Sequence, residues 1–193
     1  MLGLKLPTDP RWVNIVESNI DGILTDHAWC EQKAATNCIS LIVGNPELTE
    51  MVETLIKIAQ EELSHFEMVH EKIKARGKVL GPERKDDYVN ELYKFMKRGG
   101  GKIYSLVDRL LFAAMIEARS CERFRVLSEN IKDEDLKKFY RDLMISEANH
   151  YTVFLNFARK YGKNINVDER WQEWLGHEAK VISNYGKKES IHG

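Results

Sequence analysis

The chain has 193 residues and a formal net charge of −1, and it contains 43% hydrophobic and 31% charged residues. This composition is typical of an ordinary folded domain and excludes disordered and fibrous proteins. The apolar runs are too short for a membrane span, and the N-terminus lacks the pattern of a signal peptide. We therefore expect a cytoplasmic protein that does not insert into a membrane.

The three cysteines are Cys30, Cys38 and Cys121. Their odd number and the lack of a CxxC spacing argue against a disulfide framework, a zinc ribbon or a rubredoxin-type iron site. We expect all three to be small residues of the protein core.

Helical periodicity and capping residues predict a nearly all-α protein. Four long helices are expected, with bounds of about 10 or 21 to 44, 46 to 77, 102 to 130 and 133 to 162. Asn45 is the expected N-cap of the second helix, and Asp133 is that of the fourth. The run Gly99-Gly100-Gly101 separates the third helix from the segment before it.

The connection between the second and third helices is about 24 residues long, which is too long for a hairpin turn, and residues 86–97 within it read as a short helix. A long crossover of this kind is typical of ferritin-like four-helix bundles. A further helix is expected over about 168–185, outside the bundle. We predict one ferritin-like domain over residues 1–185, with this extra C-terminal helix, and a disordered tail over 186–193.

Each long helix carries an apolar stripe whose members alternate in spacing between three and four residues, as expected for a face that packs inward. In the fourth helix, for example, Leu143, Glu147, His150 and Phe154 are consecutive members. Each stripe is interrupted by a glutamate of its own. In two of the four helices a histidine lies three residues after that glutamate. The polar members are Glu31, Glu62, His65, Glu117, Glu147 and His150.

Four carboxylates in one bundle core would each cost several kcal/mol without compensation. No lysine or arginine occupies the neighbouring stripe positions. Two divalent metal ions would neutralise the four charges, and a mixed carboxylate and imidazole set suits iron or manganese better than calcium or structural zinc. One glutamate from each of two helices and Glu-x-x-His from each of two others is the pattern of di-iron carboxylate bundles. Four glutamates held by hydrogen bonds alone are the alternative.

The Glu-x-x-His motif alone is weak, because it occurs four times in this chain. The matches at 67–70 and 189–192 fall off the stripe and in the predicted tail, respectively, so we interpret both as exposed surface. The matches at 62–65 and 147–150 lie on the stripe and follow another inward glutamate by 31 and 30 residues. This two-fold repeat of a helix pair distinguishes the two metal-binding matches.

Two neighbours of the predicted ligands are weaker candidates. His27 lies one turn before Glu31 and could orient it or bind metal itself, although a hydrogen-bonded core histidine is the more common role. Glu61 directly precedes Glu62 and could orient a ligating histidine of the opposite helix, or it could be a solvated side chain.

Several segments resemble the tRNA 2-methylthio-N6-isopentenyladenosine hydroxylase family, known as MiaE. The segments are LPTDPRWV, DHAWCEQKAA, EELSHFEMVHEKIKARG, IEARSCERF and FYRDLMISEANHYTVFL. IEARSCERF is the most specific of them, since ferritins, bacterioferritins and rubrerythrins share the ligand pattern but do not carry it. The family's ligand positions match all six predicted ligands without a departure.

The resemblance implies O2-dependent hydroxylation of the isopentenyl group on a modified adenosine of the tRNA anticodon loop. It further implies two iron ions as cofactor, O2 as co-substrate and a reductase or ferredoxin-type partner as the source of electrons. Exclusion of water from the bundle interior suits such chemistry.

A tRNA substrate would require a basic surface for its phosphates. Lys94, Lys97, Arg98 and Lys102 flank the glycine run and are candidates, although ordinary solvated helix faces would look the same. Arg119 and Glu122 lie within two turns of Glu117. They are candidates for a salt-bridge network or for a gate at the entrance of the site.

A rival hypothesis from another class is a ferritin-like protein that stores or detoxifies iron, and a third is a peroxide-detoxifying enzyme. Storage would require a hollow shell of many subunits, whereas the extra helix and the long crossover favour a monomer or a small oligomer. The missing CxxC site weakens a rubrerythrin-type peroxidase.

Overall fold

The computed structural model describes residues 2–97, 99–185 and 190–192, apart from the side chain of residue 185. The described residues form seven α-helices and no strand, as the sequence predicts. The helices are α1 Trp12–Ser18, α2 Ile20–Gly44, α3 Thr49–Ala75, α4 Asp87–Phe95, α5 Gly101–Asn130, α6 Glu134–Tyr161 and α7 Val167–Tyr185. None of the described helices combines the length and the apolar character that a membrane span requires.

The described residues divide into two compact units. Unit 1 comprises residues 2–17, 86–97, 99–185 and 192, and unit 2 comprises residues 18–85 and 190–191. The single domain expected over residues 1–185 stays a prediction.

Unit 2 is a pair of long helices, α2 and α3, which pack against each other. Their shared core is apolar, with Leu24, Leu41, Leu55 and Val69 fully buried. The connection between the two helices is only four residues long, so α2 and α3 are antiparallel. This return brings the middle of α2 level with the middle of α3, where the stripe glutamates lie.

Unit 1 contains a second long pair, α5 and α6, against which α7 and α4 pack. Arg170 on α7 donates from Nε and Nη2 to the two oxygens of Asp108 on α5, at 2.7 and 2.8 Å. Both side chains are buried, so this bidentate pair fixes α7 against α5.

The backbone conformation at the start of α5 requires glycine. Gly99 and Gly101 have φ angles of 92° and 82°, which side-chain-bearing residues rarely adopt. The backbone N–H of Lys97, just before this run, donates to Asp108 Oδ2 at 2.7 Å, and this bond anchors the end of the crossover to α5.

The predicted caps had mixed outcomes. Asp133 caps α6 as expected, because its side chain accepts from the N–H groups of Asp135 and Leu136. The prediction for Asn45 is wrong: α3 begins at Thr49 with Leu48 at its N-cap position, and Asn45 instead ends α2. Its side-chain amide donates backwards to the Leu41 carbonyl at 3.0 Å, so it satisfies the end of a helix.

All three cysteines are free thiols. Cys38 and Cys121 are buried as expected, whereas Cys30 is only partly buried. The tail predicted to be disordered falls partly outside the described residues, at 186–189 and 193. Within its described part, Ile191 and His192 are buried.

Candidate metal centre

Unit 2 brings three of the predicted ligands together. Glu31 projects from α2, and Glu62 and His65 project from α3; each offers one ligand atom, and these atoms lie within 4.8 Å of one another. All three side chains are buried, and Glu62 is fully so. His65 presents Nδ1 to both carboxylates, at 3.4 Å from Glu62 Oε2 and 3.7 Å from Glu31 Oε2. We call this set the unit 2 group.

His27 supports the unit 2 group from the preceding turn of α2. Its Nε2 lies 2.5 Å from Glu31 Oε1, and its side chain is fully buried. A buried imidazole at this distance fixes the orientation of the carboxylate. This contact is the geometry that an orienting role needs, and the role itself stays a prediction.

Unit 1 repeats the arrangement with its own helix pair. Glu117 projects from α5, Glu147 and His150 project from α6, and each offers one ligand atom within 4.8 Å of the others. All three side chains are buried. Ser146, one turn before His150, has its Oγ 3.5 Å from His150 Nε2. We call Glu117, Glu147 and His150 the unit 1 group.

The donor chemistry of each group fits a divalent metal ion. Two buried carboxylates within 4.8 Å of each other repel when both are charged, and both lose hydration, so a nearby positive charge would stabilise them. Carboxylate oxygens together with an imidazole nitrogen are the donors that iron, manganese and zinc accept, whereas calcium prefers oxygen alone. The residues therefore fit an iron ion in each group.

Burial also sets the state of the two cysteines that lie near these groups. Burial raises the pKa of Cys38 to about 12, and the negative charge of Glu62 adds to the shift. Burial likewise raises the pKa of Cys121 to about 12, with the charges of Glu147 and Glu122 contributing. Both stay protonated at neutral pH, and a protonated thiol is a poor metal ligand.

The remaining orienting candidates differ in placement. Glu61 is exposed on α3, so its side chain faces away from the buried stripe. Arg119 and Glu122 are buried on α5 and form an ion pair at 3.0 Å. Of the two alternatives for this pair, the salt-bridge network is confirmed.

The network around Arg119 is larger than the sequence indicated. Arg119 donates to Glu178 Oε1 from Nε at 2.9 Å and from Nη2 at 2.6 Å, and Nη2 also donates to the Leu6 carbonyl at 3.0 Å. Glu122 accepts from the backbone N–H of Thr8 at 3.0 Å and from the Thr8 hydroxyl. The sequence reasoning missed Glu178 and Thr8, because both lie far from α5 along the chain.

The predicted tRNA-binding cations lie on the outside of unit 1. Lys94, Lys97 and Lys102 are exposed, and Arg98 lies outside the described residues. Lys94 forms an ion pair with Glu91 at 2.5 Å, and Lys97 lies 3.8 Å from Glu173. Carboxylates therefore offset part of the positive charge of this segment.

The two rejected Glu-x-x-His matches also differ from each other. Glu67 is exposed and His70 is partly exposed, as interpreted from the sequence. For His192 the surface interpretation is wrong: it is only 2% exposed, and its Nδ1 lies 2.8 Å from Asp86 Oδ2. Its partner in the motif, Glu189, lies outside the described residues. A buried carboxylate stabilises this histidine, which the polar tail sequence gave no reason to expect.

Comparison with known proteins adds independent findings. A model of the MiaE family, described as tRNA-(MS[2]IO[6]A)-hydroxylase, matches residues 2–193. A tRNA 2-(methylsulfanyl)-N(6)-isopentenyladenosine(37) hydroxylase from Pseudomonas putida is 36% identical over 85% of this chain and 78% of its own length. A protein of the same name from Salmonella typhimurium is 27% identical over 98% of this chain and 87% of its own.

One solved structure is also similar. It is titled "Protein 43 with aldehyde deformylating oxygenase activity" from Synechococcus and is 31% identical to this chain. It superposes with a TM-score of 0.90 over 98% of this chain and 95% of that one. The two chains therefore share nearly all of their helical fold.

Proposed function

The chain belongs to the MiaE family of tRNA hydroxylases, and from this membership we propose that it is a di-iron mono-oxygenase whose six ligands are those of the unit 1 and unit 2 groups. Its substrate is the isopentenyl group of 2-methylthio-N6-isopentenyladenosine in the tRNA anticodon loop. O2 is the co-substrate. The observation that carries the metal assignment is the burial of two carboxylates and one imidazole within 4.8 Å of one another in each unit.

The chain's own residues have separate tasks in this reaction. His65 binds metal through Nδ1, the nitrogen that it turns toward both carboxylates of its group. For His150 we also assign Nδ1, because Ser146 lies at the Nε2 side. His27 holds Glu31 in place. Burial of these groups excludes water from the reacting atoms.

When bound, two ferrous ions supply the redox chemistry that lets O2 attack an unactivated carbon. The balanced reaction converts one C–H bond and O2 into an alcohol and water, and it consumes two electrons and two protons. We propose that a reductase or ferredoxin-type partner delivers these electrons, as membership of the family implies. A tRNA substrate is consistent with the predicted cytoplasmic location.

The family match favours the hydroxylase over the rival function of iron storage or peroxide detoxification. Storage would require a shell of many subunits, whereas we propose a monomer or a small oligomer. A sizing column run with the iron-loaded protein distinguishes the two.

The decisive assay uses purified, iron-loaded protein with tRNA that carries the methylthio-isopentenyl nucleoside, a chemical reductant and O2. We expect about two iron ions per chain, one for each group of three ligands. Mass spectrometry of the digested tRNA should show a nucleoside heavier by one oxygen atom. Glu117→Ala and His150→Ala should lose both iron and product, whereas the exposed control Glu61→Gln should retain both.

Two results would contradict the proposal in different ways. Full product formation by metal-free protein would exclude the di-iron mechanism. If the protein binds iron normally but forms no oxygenated nucleoside, the metal site is supported and this substrate is excluded.

A further inference from the structure

A row of aromatic side chains lies on one face of unit 2, and the metal-binding groups do not use it. The ring centroids of Trp29 on α2 and Phe66 on α3 are 6.1 Å apart. The rings of Phe66 and His70 are 6.4 Å apart and nearly parallel, with an angle of 13° between their planes. All three side chains are partly exposed. We call Trp29, Phe66 and His70 the aromatic row.

The aromatic row is held in place from the side. Trp29 Nε1 donates to the Gly81 carbonyl at 3.0 Å, so the indole ring is tied to the chain segment that follows α3. That segment crosses α2 closely, since a Cβ at Gly81 would lie 3.2 Å from the Thr25 methyl group. A fixed aromatic ring loses little conformational entropy when a planar ligand stacks on it.

A surface cavity of about 360 Å³ is lined by Gly81, whose carbonyl accepts from Trp29 of the aromatic row. Thr25 and Asn19 also line it, together with the charged residues Asp21, Lys78 and Arg84. The volume is within the range of about 300–1,000 Å³ that is usual for small-ligand sites, so the cavity has room for one nucleotide.

Cations flank the aromatic row at both ends. Lys33 follows Trp29 by one turn on α2, and Lys74 follows His70 by one turn on α3. Beyond Lys74, Arg76 and Lys78 both contact Asp21, at 2.9 and 3.4 Å.

Nearby carboxylates offset part of this charge. Lys33 pairs with Glu83 at 2.9 Å, and Lys74 pairs with Glu71 at 2.8 Å. Arg84 is exposed and makes no ion pair with any residue that the structure describes. It is therefore available to bind an anionic ligand at the rim of the cavity.

Stacking rings with cations at the ends are the two components by which proteins bind single-stranded nucleic acid. Bases stack on the rings, and the phosphates between them contact the cations. We propose that the aromatic row and the adjacent cavity bind unpaired nucleotides of the anticodon loop, with Trp29, Phe66 and His70 stacking on bases and Arg84 contacting a phosphate. This inference rests on the proposed function and names the surface that holds its substrate.

The test measures binding of a fluorescent anticodon stem-loop RNA that carries the methylthio-isopentenyl nucleoside to the iron-loaded chain at several salt concentrations. We expect Trp29→Leu to raise the Kd by about 5- to 150-fold, the usual effect of losing one stacked base. The dependence of log Kd on log salt should stay unchanged in this variant, because no charge is lost. Arg84→Ala should instead reduce that slope by about 0.7, the value for one phosphate contact on a single strand.

Matched variants separate stacking from general damage to the fold. Trp29→Phe keeps a ring but loses the bond to Gly81, so it should bind more tightly than Trp29→Leu. Tyr161→Leu removes a partly exposed ring in unit 1 that also packs on another ring, Phe157 at 5.8 Å, and should bind RNA like the wild type. Hydroxylation by Trp29→Leu should show a raised KM for RNA, with kcat and iron content unchanged.

Each other outcome would overturn the inference. If the wild type hydroxylates the RNA while Trp29→Leu and Arg84→Ala bind it normally, the surface is wrong and the proposed function stands. If only Lys94→Ala and Lys97→Ala weaken binding, the RNA lies on unit 1 instead. If the wild type neither binds nor oxidises the RNA, the proposed function fails and the inference fails with it. Should Trp29→Leu prove unfolded, the salt dependence of the exposed variant Arg84→Ala still decides.

Discussion

His27 and Glu31 form a buried contact of 2.5 Å between Nε2 and Oε1, one helical turn apart on α2. Glu31 also faces His65 at 3.7 Å through its other oxygen. The carboxylate is thus held from one side by an imidazole of its own helix and faces the imidazole of its group from the other. This arrangement leaves Glu31 few alternative rotamers, which favours a prearranged metal site.

The first prediction concerns this contact. We expect His27→Leu to lower iron affinity by about 10- to 100-fold, because groups that orient a ligand usually contribute that much. His27→Gln, which retains a hydrogen-bonding group, should lose less. Competition with a coloured chelator measures the affinity, and Glu67→Gln is the control, since it alters an exposed glutamate of an unused Glu-x-x-His match. If His27→Leu binds iron as tightly as the wild type but has a lower free energy of unfolding, His27 has only a structural role.

The second prediction concerns the charge of Glu62, which is fully buried. In metal-free protein its carboxylate faces Glu31 without a metal ion between them, so Glu62→Gln should raise the free energy of unfolding by about 1 kcal/mol or more. With iron present the wild type should instead have the higher free energy of unfolding, because it gains binding energy that Glu62→Gln lacks. Urea unfolding with chelator and with ferrous iron measures both. Glu61→Gln, next in sequence and exposed, should change neither. If Glu62→Gln changes the free energy of unfolding by the same amount with chelator and with ferrous iron, that result would argue against metal binding at Glu62.

The third prediction concerns the buried network of unit 1. Arg119 neutralises Glu178, which is itself fully buried. Arg119→Ala leaves this carboxylate without its cation and should lower the free energy of unfolding by about 3–5 kcal/mol. Arg159→Ala removes an exposed cation of α6, paired with exposed Asp168 at 2.7 Å, and should cost less than about 1 kcal/mol. Similar losses in the two variants, measured by urea unfolding, would contradict the assigned role of the network.

The sequence predicted the features that depend on local pattern. The three-and-four spacing around Glu147 and His150 placed both side chains on a buried face, where the structure has them. The all-α, ferritin-like class and the family resemblance are likewise confirmed. Periodicity is visible in the sequence because a helix repeats its environment every turn. The assignment of all six side chains as iron ligands stays a prediction.

Features that depend on contacts between distant segments could not be predicted. Glu178 is 59 residues from Arg119, and no spacing rule relates them. His192 follows a polar segment that resembles a disordered tail, yet it is stabilised in a buried position by Asp86, 106 residues earlier. Asn45 has the side chain of an N-cap, but the same amide can donate to the helix before it, and local propensity does not choose between the two.

The last prediction concerns the Cys38 thiol. Burial raises its pKa from 9.0 to about 12, with a further contribution from the negative charge of Glu62. Between about pH 9 and pH 12 the unfolded chain therefore loses this proton while the folded chain keeps it. The resulting stability is fully present below pH 9 and is lost as the pH rises toward 12, at up to about 1.4 kcal/mol per pH unit.

Cys38→Ala removes this dependence, because alanine does not titrate. From pH 9.5 to 11 the free energy of unfolding of the metal-free wild type should therefore fall more steeply than that of Cys38→Ala, by about 1 kcal/mol per pH unit or more. Cys121→Ala should behave in the same way, since burial raises the pKa of Cys121 to about 12 as well. Urea unfolding at several pH values measures the slopes. Parallel slopes in wild type and variant would mean that the thiol titrates equally in the folded and unfolded chains, which is incompatible with the buried position of Cys38.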